Sequence, residues 1–384
     1  MKLRVSSVLL CCTAALLAQR QLEYDRSVVS QVRIDARDLG YPPADVIPSG
    51  ESAITALVTA PSGALYGATS GKRSHLFVLE QRHGYVQPLG YLQDVTGVSG
   101  ALAATPNGDI YIGAANAPGH LLRYTPHAND GARQIRVHAP CETKDLGVAV
   151  EHEGIFALES DPHGDTLYGI TSPNGYFFTY DISQSKFATH GRIAEHKIPG
   201  EKFETELLLG RALIADRRGF AFTSGEGGAL LRFDPATKHL DKLPLTVPTA
   251  PGREPYNRVD AWTIDAAGVL YGGSSDGYIF RLDPEILRVE NLGKPLNQYR
   301  IRGLVFARNG KLYGAGGDDD EMARLFSYDA ARGVYEVLGF IDVNRRPYYT
   351  WQAYRIGAMA LGRDGTIYLG ESERKSRLYL YFPE

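Results

Sequence analysis

Four residues of this 384-residue chain could together remove a proton beside a carboxylate: His75, His120, Tyr176 and Arg192. Such a step needs a cation on the carboxylate, so that the neighbouring C–H becomes acidic, and Arg supplies one. It needs a base for the proton and an acid for the leaving oxygen, and His or Tyr can serve as either. This chemistry is β-elimination of a uronic acid inside a glycan. It requires no metal and no pair of opposed carboxylates, whereas ordinary glycoside hydrolysis does need such a pair. The loops offer Glu226, Asp276 and residues 318–320, but no pair stands out among them. A second group surrounds the first in pattern. Arg211, Arg258, Arg300, Arg302 and Arg355 precede or open apolar strands, with Asp260, Tyr256 and Tyr278 nearby. Arg grips a carboxylate or sulfate in a bidentate fork, and an aromatic ring stacks on a sugar face. The plainer reading makes these arginines inter-blade ion pairs with Glu153, Glu204, Glu206 and Asp260.

An internal repeat positions these residues. Ala56–Gly67 (ALVTAPSGALYG) is echoed by Ala101–Ile112 (ALAATPNGDIYI), and the pattern returns five more times. The turn glycines Gly63, Gly108, Gly164, Gly219, Gly268, Gly310 and Gly365 are spaced 45, 56, 55, 49, 42 and 55 residues apart. Each copy reads as an apolar strand, a tight Gly turn, a Leu/Ile-Tyr strand, a third strand and a fourth with Gly near its end. Four strands repeated seven times predict an all-β, seven-bladed propeller with four-stranded blades. The seventh copy ends without a fourth strand, which leaves an open edge of the kind that rings avoid. Asp38-Leu39-Gly40-Tyr41 copies the fourth-strand pattern of Pro88-Leu89-Gly90-Tyr91, so a strand over about 32–41 is expected to close the last blade. The first residues of the third strands form one column, with His75, His120, Tyr176 and Tyr278 in blades one, two, three and five. That column and the strand-one arginines should share the mouth opposite the Gly turns.

Bulk properties narrow the classes. A formal net charge of −3 with no basic stripe argues against nucleic acid. Lys2 and Arg4 followed by an apolar run to Ala18 read as an export signal over 1–18, which leaves 19–384 as one propeller domain. A secreted or periplasmic monomer is expected, with no membrane partner. Cys141 is then the sole cysteine, so no intramolecular disulfide forms. Tyr outnumbers Phe, 23 to 14, which suits both strands and sugar-binding surfaces. The acidic run 318–321 offers oxygen ligands for calcium and otherwise reads as a solvated loop.

With this architecture and this His–His–Tyr–Arg order, the chain resembles the seven-bladed propeller polysaccharide lyases of the ulvan-lyase type and related enzymes that cut rhamnose–glucuronate linkages. The resemblance implies an anionic polysaccharide substrate. It implies His120 as the catalytic histidine, with His138 as a second, Tyr176 as the tyrosine, and Arg192, 16 residues later, as the carboxylate-neutralising group. Which of His120 and Tyr176 is the base stays open. The family tends to carry a structural metal ion, for which no site can be placed in this sequence. The competing functions are a non-catalytic propeller that binds glycans or proteins, and a calcium-dependent propeller lactonase or hydrolase. The former would leave the site residues dispersed or buried; the latter would bring carboxylates together on the axis.

Overall fold

The computed structural model describes residues 47–79, 86–130, 136–195, 209–317, 321–345, 349–373 and 376–383. Seven antiparallel sheets follow one another along the chain, over 53–92, 102–148, 154–192, 214–246, 259–293, 301–340 and 356–381. Six have four strands in sequence order. The seventh has three among the described residues: Ile356–Leu361, Ile367–Glu371 and Leu378–Tyr381. The segment expected to complete it, about 32–41, lies outside the described residues, as do the export signal and the run 318–320.

The strands form because their residues alternate between two neighbouring blades. In the third strand of blade one, Ser74–Leu79, the sides of Leu76 and Val78 pack toward blade two, and Phe77 packs toward blade seven. A side-chain period of two therefore fills both faces of every sheet. The result is seven apolar clusters, one for each blade interface, including Ile54, Leu65 and Phe77 against Ala360, Tyr368 and Leu378 between blades one and seven. The ring closes there: Thr59 Oγ1 donates to the Leu361 carbonyl at 2.9 Å, and Arg363 Nη1 to that of Pro61 at 2.8 Å.

All seven turn glycines have φ between +78° and +98°, which an L side chain resists. The fourth-strand glycines Gly90, Gly191, Gly293 and Gly339 also have positive φ, and each lies beside a register shift between third and fourth strands. They are β-bulges. The repeat tyrosines Tyr66, Tyr111, Tyr168, Tyr271, Tyr313 and Tyr368 are all buried. Much of the tyrosine excess is thus core rather than sugar-binding surface.

Two features depart from the plain repeat. A hairpin, Asp342–Arg345 with Tyr349–Gln352, stands between blades six and seven. The excursion after Tyr124 returns to lie along the outer strand of blade one, where Tyr91 N donates to the Ala139 carbonyl and Cys141 N to that of Tyr91.

Candidate functional site

With every core placed between blades, the axis itself is left open. A cavity of about 620 Å³ runs there, lined by residues on or just before the innermost strands of all seven sheets. Its charged lining is concentrated where those strands begin: Arg211, Asp260, Arg302 and Arg355.

Asp260 is the pivot. It is the second residue of the inner strand Val259–Ile264 and is buried. Its Oδ1 accepts from Arg258 Nε at 3.2 Å and its Oδ2 from Arg300 Nε at 3.0 Å. Burial would raise the Asp260 carboxyl, but the guanidiniums of Arg300, Arg258, Arg211 and Arg302 outweigh it and hold the group far below the usual carboxylate range. Arg300 adopts φ +64°, a left-handed conformation costly for a non-glycine residue, and its N–H donates to the Ser275 carbonyl. Four guanidiniums therefore face one carboxylate.

Arg211 is the least compensated of them. Its backbone N–H donates to the Val259 carbonyl at 3.0 Å, and its guanidinium lies 5.4 Å from the centre of the Phe156 ring. Its Nε is buried without a hydrogen-bond partner. Burial, together with Arg300, Arg258 and Arg302, pushes this guanidinium down to about 9, so it still carries its charge at neutral pH. A part-buried guanidinium that shares its counterion Asp260 with three others is under-compensated, and an anionic ligand is what would relieve it.

Deeper along the same cavity lies Glu159, on the inner strand Gly154–Ser160 of blade three, with Trp262 among the other lining residues. Burial pushes the Glu159 carboxyl up to about 8.

Of the eight residues expected to hold substrate, Arg211, Arg302 and Arg355 line the cavity and Arg258 backs it. Tyr256, in the short 3-10 turn Glu254–Tyr256, and Tyr278 are half-buried near blade five, outside the lining. His138 is exposed in a turn of the excursion. His75 is a correction: it is 0% exposed, and its Nε2 lies 2.8 Å from Glu51 Oε2. A fully buried ring in a carboxylate pair cannot meet a ligand. Its column position faces Glu51, just ahead of the first strand, instead of solvent.

The three expected catalytic residues lie off the axis. Tyr176 and Arg192 are register partners on the third and fourth strands of blade three. Arg192 lies 5.7 Å from the Tyr176 ring centre, and its Nε donates to the Asn174 carbonyl at 2.8 Å. His120 is half-exposed, with Nδ1 2.8 Å from Asp145 Oδ2. Among the described residues no hydrogen bond or ring contact joins His120 to Tyr176 or Arg192, and none of the three lines the cavity. Glu153 connects the neighbourhoods. Its carbonyl accepts from Gly119 N, and its carboxylate accepts from Thr171 Oγ1 and Asn174 N, both at 2.9 Å, and from Asn174 Nδ2. Among the described residues no three His, Cys, Asp or Glu gather to hold a metal.

Comparison with known proteins yields likeness of fold without likeness of sequence. No family model and no curated protein matches the chain. Solved structures do. The extracellular domain of the hybrid two component system BT4673 from B. thetaiotaomicron superposes with a TM-score of 0.60 at 15% identity, over 88% of this chain and 39% of that one. The chain thus spans about two fifths of that domain's length. A streptogramin B lyase superposes with a TM-score of 0.61 at 12% identity, over 87% of this chain and 95% of the other. Virginiamycin B lyase from Staphylococcus aureus superposes at 0.63 and 10% identity, over 92% and 99%. In architecture, then, the chain is similar to these propellers, and at these identities the similarity is one of fold.

Proposed function

We propose that this chain captures an anionic, carboxylate-bearing glycan at the arginine-ringed mouth of its channel. The observation that carries the reading is Arg211, whose buried Nε lacks a partner and which shares the Asp260 carboxylate with three other guanidiniums. Bidentate Arg–carboxylate pairing suits a uronate. The test is calorimetric titration with a short oligoglucuronate. Arg211→Ala should weaken binding by about 10–100-fold, the range for a lost charge-assisted hydrogen bond. Unchanged affinity in Arg211→Ala, or no binding by the wild type, would overturn the reading.

A second reading adds chemistry: a secreted polysaccharide lyase that works by β-elimination. The guanidinium of Arg192 over the Tyr176 ring favours it, and lyases occur among proteins of this fold. In this reading Arg192 neutralises the uronate carboxylate. His120 or Tyr176 takes the C5 proton, the C4–O bond breaks as a C4–C5 double bond forms, and the other residue protonates the leaving oxygen. No cofactor enters the reaction. Tyr176→Phe should cost about 10²–10⁴ in rate, read as ultraviolet absorbance of the conjugated product. Binding without unsaturated product would leave capture as the function.

A further inference from the structure

The residue paired across the sheet with the repeat aromatic occupies one equivalent position in every blade. In blades one, two, four, five, six and seven it is Val58, Ala103, Ile214, Thr263, Val305 and Ala360. In blade three it is Glu159, opposite Tyr168. One blade of seven therefore sends a carboxyl group where the others send a small or apolar side chain, and that residue lines the axial cavity.

The charged groups around it are few. Arg211, Asp260, Arg302 and Arg355 share the cavity but belong to the mouth. Tyr168, on the adjacent strand, donates its hydroxyl to the Gly219 carbonyl. Asp161 follows just beyond the end of its strand, and Asp216, beyond the inner strand of blade four, pairs with Arg218. Among the described residues no cation is paired with Glu159, and only the Ser160 backbone N–H favours its charged form. Register sets it level with Thr263, three residues beyond Asp260 across a bulge, so it lies roughly 7–10 Å down the axis at strand rise.

We propose that Glu159 is a specificity residue that donates a hydrogen bond to the end of the captured glycan, and that the site therefore recognises chain ends. This rests on capture of an anionic glycan at the mouth. A closed ring can be entered only by a terminus. An internal stretch of polymer lies across the arginines and leaves Glu159 untouched, whereas a terminal sugar descends to it and offers a hydroxyl or ring oxygen. The neutral acid is the form that donates. Its raised pKa keeps it neutral at pH 7, and ionisation at higher pH both removes the donor and repels the anion.

The test titrates wild type, Glu159→Gln and Arg211→Ala with a short oligoglucuronate and with long polyglucuronate, at about pH 6 and about pH 9, in buffers of different ionisation enthalpy. Wild type should bind the oligomer about 10-fold more weakly at the higher pH and take up a proton on binding there. Glu159→Gln, which keeps a donor but cannot ionise, should lose most of both effects and keep only the smaller part that comes from Arg211, whose guanidinium at about 9 also titrates there. Long polymer should bind one protein per chain end whatever its length. No wild-type binding overturns capture and this inference together. Wild-type binding that Arg211→Ala weakens, with an unaltered pH profile in Glu159→Gln or many proteins per polymer chain, overturns this inference alone.

Discussion

At the scale of single residues, the mouth holds charges whose removal has opposite consequences. Arg211→Met deletes a part-buried cation whose Nε lacks a partner, so the protein should melt no lower than wild type even as ligand affinity falls. Asp260→Asn does the reverse. It strips the counterion from Arg258 and Arg300 and should cost about 3–5 kcal/mol, measured by denaturant unfolding. Glu159 gives a pH signature. Its folded-state pKa of about 8 lies above the ordinary 4.5, so between these values the folded protein holds more protons than the unfolded chain. Stability therefore falls as pH rises through that window, and Glu159→Gln should remove this loss, so that its advantage in melting temperature grows from about pH 4.5 to about pH 8. The arginines were legible in the sequence because they stand just before or at the start of recognisable strands. Glu159 was not, because a single acid in the otherwise apolar Gly154–Ser160 looks like an exposed alternate position until the register with Tyr168 is known. His75 misled for the converse reason: its column position was correct, but its partner Glu51 lies outside the repeat.

At the scale of elements, the strands and turns were readable because each repeat states the same local chemistry seven times. Gly at the left-handed turn and Gly at the bulge are backbone requirements, and sequence records those directly. Connections that break the period were less readable. The excursion after Tyr124 was visible as an insertion but not as a segment bridged to the outer strand of blade one, and the hairpin 342–352 was absorbed into the repeat. The turn that presents Tyr176 depends on Glu153, which is 3% exposed and accepts from Thr171 and Asn174. Glu153→Ala leaves those donors unanswered. It should lower stability by about 1–3 kcal/mol in denaturant melts, and any activity assigned to Tyr176 and Arg192 should fall with it.

At the scale of the whole molecule, a chain of net charge −3 concentrates positive charge at one mouth. Capture of an anion there should weaken steadily with added salt, and association rates should fall most, as for other electrostatically steered encounters. The ring has seven interfaces and no common centre, so its integrity depends on the weakest blade. Among the described residues the seventh sheet has three strands where the other blades have four. Removal of residues 32–41 should lower the melting temperature and promote aggregation, checked by light scattering during a thermal ramp. An unchanged ramp would show that closure does not depend on that segment.

The segment around Pro140 that blade two bridges to the outer strand of blade one ties those two neighbours into a single cooperative unit. Neither can lift from the ring until the amide hydrogens of Tyr91 and Cys141 are released together, so hydrogen exchange should show both protected to the same degree. Cys141 is part of that strap and is buried against blade one, with its thiol pushed up to about 12. It is inert while the strap is down and reactive once it rises, so the rate at which a thiol reagent labels it measures how often the ring opens at that seam.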